Sequence, residues 1–152
     1  MALFLFLYTG ASRQDAARLG RQNLVNGRIK FSRGKTGIPA DLPIMPELAE
    51  ELSFLPGDQL MLLTHSFGKP YKPETLGNWF RDQCDAAGLS QCSARGLRKA
   101  GATRLAEAGA TEWELASYLA HKDTKMAAVY VRQTNRGKLA DRGMARISEA
   151  KK

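Results

Sequence analysis

The helical character of the second half of the chain limits its fold more than any other feature. From Pro73 onward the residue pattern is helical, and it is interrupted only where Gly88, Gly109 and the polar stretch His121–Thr124 can end a helix. A chain with this pattern is mainly α. The predicted helices are Pro73–Ala87, Ala94–Gly109, Glu112–Ala120, Lys125–Arg132 and Asn135–Ala150.

The first half carries the signature of a β-hairpin. Apolar Ile29 and Phe31 alternate with polar neighbours, and the alternation resumes at Ile38 after the turn sequence Gly34–Gly37. Lys35 lies at the tip of that turn. Short helices are expected at Ser12–Leu19 and Pro46–Phe54. The expected fold class is α+β, mainly α, with a small antiparallel sheet or hairpin near the N-terminal end.

Charge is distributed unevenly in this chain of 152 residues, whose formal net charge is +8. Seven basic residues and a single acid, Asp15, lie between Arg13 and Ala40, whereas Asp41–Leu60 holds five acids and no base. A folded basic face is the electrostatic footprint of a polyanion. Charge alone is equally compatible with a basic protein that binds no polyanion.

Other classes of protein fit the sequence poorly. The apolar stretch Met1–Leu7 is too short to span a bilayer and lacks the features of a signal peptide. Cys84 and Cys92 lack partners for a metal site, so we expect reduced, structural cysteines in a cytoplasmic protein. The sequence predicts no cofactor, no metal and no membrane partner.

A small set of side chains suggests chemistry on a phosphodiester. Arg98 lies near the start of the helix predicted at Ala94–Gly109. His121 follows Arg98 by 23 residues, and Tyr130 follows His121 by nine. Together with Lys35 they form neither a metal site nor a carboxylate pair. Positive and neutral donors beside a phenol suit the binding of a phosphate while a tyrosine attacks its phosphorus.

The chain resembles the catalytic domain of the tyrosine recombinases, the phage integrase family. The resemblance runs from Tyr8-Thr9-Gly10 through Lys35-Thr36-Gly37 and Arg95-Gly96-Leu97-Arg98-Lys99 to His121 and Tyr130. It implies that Tyr130 is the nucleophile that forms a 3′-phosphotyrosine bond with double-stranded DNA. It further implies that Arg98 holds the phosphate oxygens, that His121 hydrogen-bonds the phosphate and that Lys35 protonates the departing 5′-oxygen. Expected DNA contacts are Arg33, Lys99, Lys122, Lys125 and Arg132.

Two positions depart from the pattern of the family. Ser12 stands where the family usually has the first arginine of the phosphate clamp, and the adjacent Arg13 is a possible substitute. Arg95 stands at the usual position of a histidine, and an arginine cannot accept a proton at neutral pH. We therefore expect impaired turnover.

The resemblance also bears on domain organisation. We expect residues 1–152 to form a single catalytic domain, without the core-binding domain that usually precedes it, and residues 134–152 to form a C-terminal tail helix. The tail carries a narrow apolar stripe at Leu139, Met144 and Ile147. It can dock on its own domain or on a neighbouring protomer, which would give a homo-oligomer on DNA.

Three functions remain open at this stage. The first is a recombinase or integrase that acts in DNA integration or excision. The second is a catalytically silent integrase relic that binds DNA or a partner recombinase without cutting. The third is nicking and resealing of the type IB topoisomerase kind. Trp79 and Trp113 are expected to be packing residues.

Overall fold

The structure is a computed structural model that describes residues 1–134 and 136–150. The first half of the chain contains short helices and a small three-stranded sheet, and the second half contains only helices among its named elements. The elements in chain order are α1 (Ala2–Thr9), α2 (Arg13–Ala16), the 3₁₀ helix η1 (Arg21–Asn23), β1 (Leu24–Val25), β2 (Arg28–Ser32), β3 (Pro39–Pro43), α3 (Pro46–Ser53), α4 (Pro73–Ala86), α5 (Ala94–Glu107), α6 (Glu112–Leu119), α7 (Lys125–Gln133) and α8 (Arg136–Ala150).

The sheet has three antiparallel strands in the order β1-β2-β3. Ile29 pairs with Leu42 and Phe31 with Ala40, so the register places Ile29, Ala40 and Leu42 in the buried face. This is the predicted hairpin. The sequence did not predict β1, because a strand of two residues is too short to show alternation.

Local side-chain caps define several helix ends in the second half. Ser93 Oγ accepts a hydrogen bond from Gly96 N (3.1 Å) at the start of α5. Thr111 and Glu114 form a capping box at the start of α6. Each predicted helix of this half is present, with ends that differ by up to two residues; the predicted start at Asn135 lies outside the described residues.

Two clusters of buried side chains form the core. The first joins α1, α3 and α4 to the sheet around Leu5, Phe6, Ile29, Leu48 and Leu76. The second joins α5, α6 and α7 around Ala102, Ala106, Leu115, Leu119 and Ala127. Helix α1 packs on α5 and so connects the two clusters.

The expected fold class is confirmed, whereas two details of the sequence analysis are wrong. Trp113 is 66% exposed and does not pack in the core, whereas Trp79 packs against the first cluster. Helix α2 covers only Arg13–Ala16, because the chain turns after Ala17 toward the sheet. Among the described residues, no helix is long and apolar enough to cross a membrane.

Candidate functional site

Arg98 joins the ends of two other helices. Its Nη2 donates to Leu119 O (2.9 Å) at the end of α6, and its Nη1 donates to Gly10 O at the end of α1. Gly10 ends α1 with a left-handed backbone (φ 55°), a conformation that glycine adopts without strain. The Thr9-Gly10 motif therefore has a structural role: it ends α1 and directs a free carbonyl to Arg98.

His121 lies beside Arg98 because of the way α6 ends. Ala120 adopts a left-handed conformation (φ 48°) that closes the helix and turns the chain toward α7. Arg98 Nη2 and His121 Nε2 are 3.3 Å apart, and since a guanidinium only donates, Nε2 is the acceptor and Nδ1 carries the proton. Burial, and then the charges of Arg98 and Arg33, lower the pKa of His121. Both causes favour the neutral form of the ring.

Arg33 occupies a buried place at the base of the hairpin turn and is only 6% exposed. Its Nη1 donates to Asp15 Oδ2 (3.3 Å), its Nη2 donates to Tyr118 O (3.3 Å), and its guanidinium lies 5.1 Å from the centre of the Phe31 ring. Burial, followed by the charge of Arg98, lowers the pKa of Arg33 to about 10. Two cationic side chains are thus held on consecutive carbonyls of α6.

Asp15 organises the other side of Arg33. It accepts hydrogen bonds from Ser12 Oγ (2.7 Å), Gly34 N (2.9 Å) and Arg18 Nη2 (3.2 Å). Burial would raise its pKa, but the hydrogen bonds from Gly34, Ser12 and Arg33 outweigh burial and the net pKa is lowered. Asp15 was not among the predicted site residues, although it is the only acid between Arg13 and Ala40 in the sequence.

Tyr130 lies in α7, half-buried against the second core cluster. Its phenol interacts electrostatically with Arg98 and with Tyr118. Tyr118 is a second aromatic residue at the site that sequence reasoning missed: its hydroxyl donates to Leu7 O (2.7 Å), and burial raises its pKa to about 12. The structure thus brings Arg98 and His121 into contact and places Tyr130 within electrostatic range of Arg98.

The other predicted residues lie on the surface around this site. Lys35 is exposed at the tip of the hairpin turn, and Arg95 is exposed in the first turn of α5. Within residues 1–134 and 136–150, neither makes a hydrogen bond or an ion pair. The exposed side chain of Arg13 lies against Gly77 of α4. The predicted DNA contacts Lys99, Lys122, Lys125 and Arg132 are also exposed, in contrast to Arg33.

No group of three His, Cys, Asp or Glu side chains within the described part of the chain could hold a metal ion. The site itself offers cationic donors held by the fold, the imidazole of His121 and the phenol of Tyr130. Such a set binds an oxyanion and can stabilise charge that develops on it.

The chain belongs to the phage integrase family, whose family model matches residues 1–136. The comparison with curated proteins finds no match.

Solved structures of integrases share the fold. A Tn1549 transposon integrase in complex with a circular intermediate DNA matches with a TM-score of 0.76 and 19% identity, covering 95% of this chain and 57% of that one. A lambda integrase dimer bound to a COC′ core site matches with a TM-score of 0.72 and 22% identity, covering 86% of this chain and 50% of that one. The lambda integrase catalytic core matches with a TM-score of 0.67 and 22% identity, covering 80% and 79% of the two chains. This chain therefore spans about half the length of the longer integrases.

Proposed function

We propose that this chain is the catalytic domain of a tyrosine recombinase that binds duplex DNA and forms a 3′-phosphotyrosine bond through Tyr130. The observation that carries the proposal is the position of Arg98, fixed by Gly10 O and Leu119 O within reach of His121. The Tyr130 phenol lies close enough to Arg98 to interact with its charge. We propose that it acts in the cytoplasm, in DNA integration or excision.

In the proposed reaction, Arg98 and His121 hold the non-bridging oxygens of the scissile phosphate. The Tyr130 oxygen forms a bond to phosphorus as the bond from phosphorus to the 5′-oxygen breaks. Lys35, exposed on the hairpin tip, donates the proton that the 5′-oxygen takes up. Fixed cationic donors supply most of the stabilisation, because negative charge builds on the phosphate in the transition state.

Arg95 is the weak point of this mechanism. It is exposed at the start of α5, where a histidine could accept the phenol proton and an arginine cannot. The proton must then pass to water. A positioned proton acceptor typically contributes roughly 10²–10⁴ in rate, so we expect slow attachment to DNA.

The test is covalent attachment to a nicked duplex whose cut releases a short fragment and traps the intermediate. Wild-type protein should give a slowly accumulating adduct, and Arg95→His should increase the rate. Tyr130→Phe is the matched control, because it removes one oxygen and keeps the ring; it should give no adduct. An adduct that survives in Tyr130→Phe contradicts the assignment of the nucleophile.

A second candidate function is DNA binding without cleavage. It is favoured by Ser12, whose hydroxyl is bound to Asp15 and adds no positive charge to the site. This function predicts normal binding to duplex DNA and no adduct in either wild-type or Arg95→His protein. The attachment experiment therefore separates the two candidates.

The exposed stripe of α8 suits a second copy of the chain. Met144 is 64% and Ile147 52% exposed, while Leu139 is half-buried. The lambda integrase structures include a dimer and a tetramer. We place α8 of one copy on a neighbouring copy when both are bound to DNA.

A further inference from the structure

Ser12 provides no positive charge at the position where the family usually has the first arginine of the phosphate clamp. The guanidinium of Arg33 lies beside Ser12, on the same carboxylate. Ser12 Oγ and Arg33 Nη1 contact the same atom, Asp15 Oδ2, at 2.7 and 3.3 Å. A side chain that begins at position 12 and one that begins at position 33 therefore reach the same carboxylate. The two positions are 21 residues apart in sequence, so nothing local in the chain reveals this meeting point.

We propose that Arg33 supplies the second guanidinium of the phosphate site, in place of an arginine at position 12. This inference rests on the proposed function of the same site. Arg33 and Arg98 donate to the consecutive carbonyls of Tyr118 and Leu119, so the end of α6 holds the two guanidiniums side by side. Because position 12 holds a serine, Asp15 is free to hold Arg33.

The Nε atom of Arg33 favours a ligand at this site, because it is buried without a hydrogen-bond acceptor among the described residues. Within residues 1–134 and 136–150, its Nε is the one buried side-chain nitrogen or oxygen without a hydrogen-bond partner. A buried N–H without an acceptor is costly, and native structures rarely leave one. A phosphate oxygen is the acceptor that this atom lacks, and a bound oxyanion also offsets the repulsion between Arg33 and Arg98.

Arg13, the neighbour of Ser12 in sequence, does not offer the same arrangement. Its exposed side chain lies against Gly77 of α4, and neither Asp15 nor a carbonyl of α6 is bonded to it in the described part of the chain. Arg33 is held by two hydrogen bonds and one ring contact. A preorganised guanidinium of this kind loses little freedom when it binds an oxyanion.

The first experiment uses inorganic phosphate as the probe, so that it does not depend on DNA cleavage. In the ¹⁵N-labelled chain, the Nε–H resonance of Arg33 is assigned by its absence in Arg33→Gln. It should shift on addition of phosphate, together with that of Arg98. Arg33→Gln should weaken phosphate binding roughly tenfold or more, as expected for the loss of a charge-assisted hydrogen bond.

Arg28→Gln is the matched control. Arg28 is the first residue of β2, five residues before Arg33, and pairs with the carboxylate of Asp41 through a 2.6 Å bond from its Nε. The substitution removes the same charge and also breaks an arginine–aspartate ion pair, here an exposed one, and it should leave phosphate affinity unchanged. An Arg33 resonance that does not move while that of Arg98 does overturns the proposal.

The second experiment tests whether an arginine at position 12 can take over the role of Arg33. Ser12→Arg should restore phosphate affinity and DNA attachment in the Arg33→Gln background and change little in the wild-type background, because Arg33 already fills the place. If Arg33→Gln alone does not fold, the double variant should fold, since its new arginine meets Asp15. Equal effects of Ser12→Arg in both backgrounds, or a double variant that does not fold, refute the replacement.

The two proposals fail in different ways. If no variant forms an adduct but Arg33→Gln weakens phosphate binding, then only the proposed cleavage is wrong. If adducts form and Arg33→Gln forms them as fast as wild type, then the role of Arg33 is wrong and the cleavage stands.

Discussion

At the scale of single residues, Ala120 illustrates a local cost that serves the site. It has a left-handed backbone (φ 48°) and is buried at the end of α6. For a residue with a Cβ this conformation costs roughly 1–2 kcal/mol. The same turn leaves the carbonyls of Tyr118 and Leu119 free for Arg33 and Arg98 and places His121 next to Arg98.

Replacing Ala120 with glycine should therefore raise stability. Glycine adopts this conformation without strain, and the loss of one methyl contact offsets only part of the gain. We expect the free energy of unfolding to rise by about 0.5–1 kcal/mol, measured by urea denaturation. Ala120→Val, which adds a branched side chain at the same backbone conformation, should have the opposite effect. A destabilising glycine would show that the methyl contact outweighs the strain.

The pKa of His121 should depend on its burial, on the neighbouring arginines and on a bound anion. Burial and the neighbouring arginines lower its pKa from the ordinary 6.5. As pH falls, the unfolded chain therefore binds a proton at this position before the folded chain does. The free energy of unfolding falls as pH drops from 6.5 to the pKa of the folded state, and His121 has no such effect above pH 6.5. NMR titration should give a pKa below 6.5 in the free chain, and bound phosphate or DNA should raise it. An elevated pKa in the free chain would contradict this environment.

At the scale of elements, the crossing of α1 and α5 depends on Gly101. A Cβ built at Gly101 lies 2.5 Å from Leu7 O and 2.0 Å from the Tyr118 hydroxyl oxygen. The two helices therefore approach so closely that only a glycine fits, and Tyr118 bridges them by its bond to Leu7 O. This contact determines how far the end of α1, with Gly10 O, lies from Arg98.

Gly101→Ala should consequently separate the helices. We expect a loss of roughly 1–3 kcal/mol in the free energy of unfolding, as is typical of overpacking, together with weaker phosphate binding. Gly96→Ala in the same helix is the control, since its nearest contact is Ser93 Oγ at 3.4 Å. It should be neutral or stabilising by up to about 1 kcal/mol, because alanine is the better helix former. Equal losses in both variants would argue against the close approach.

At the scale of the whole molecule, exposed basic side chains adjoin the residues of the site along the chain. Lys99 is exposed on α5 directly after Arg98, Lys122 is exposed directly after His121, and Lys125 is exposed at the start of α7. We expect duplex DNA to bind there with a steep salt dependence, because each phosphate contact releases counterions. Lys122→Gln should reduce the slope of log affinity against log salt by about one. Lys69→Gln, in an exposed turn outside the basic segments, should not change it; a flat salt dependence in wild type would contradict the proposed DNA interface.

The tail helix allows a second test of the whole molecule. Truncation after Gln133 removes α8, whose Arg142 donates to Glu107 O at the end of α5. The two core clusters do not include α8, so the shortened chain should fold with little loss of stability. Tyr130 in the preceding helix should lose its fixed position, and covalent attachment should fall relative to the full chain. Attachment at an equal rate would show that α8 does not position the phenol.

The sequence determined the secondary structure of this protein, and it is the source of the prediction of its functional groups. Helix ends, the hairpin and its turn follow from residues a few positions apart, such as the Thr111–Glu114 capping box, and local rules are sufficient for them. Motif spacing also predicted functional roles for Arg98, His121 and Tyr130. The exposed Trp113 was not predictable in this way, because the neighbours that bury or expose a tryptophan are distant in sequence.

Only the tertiary structure decided how the second cation reaches the site. Arg33 and Tyr118 are 85 residues apart, and Arg98 and Gly10 are 88 apart, so their hydrogen bonds depend on how α1, α5 and α6 pack. Sequence read in isolation left position 12 as a missing arginine with Arg13 as the nearest substitute. Packing brings Arg33 to Asp15 instead, because a buried carboxylate and a buried guanidinium must each find a partner wherever the fold supplies one.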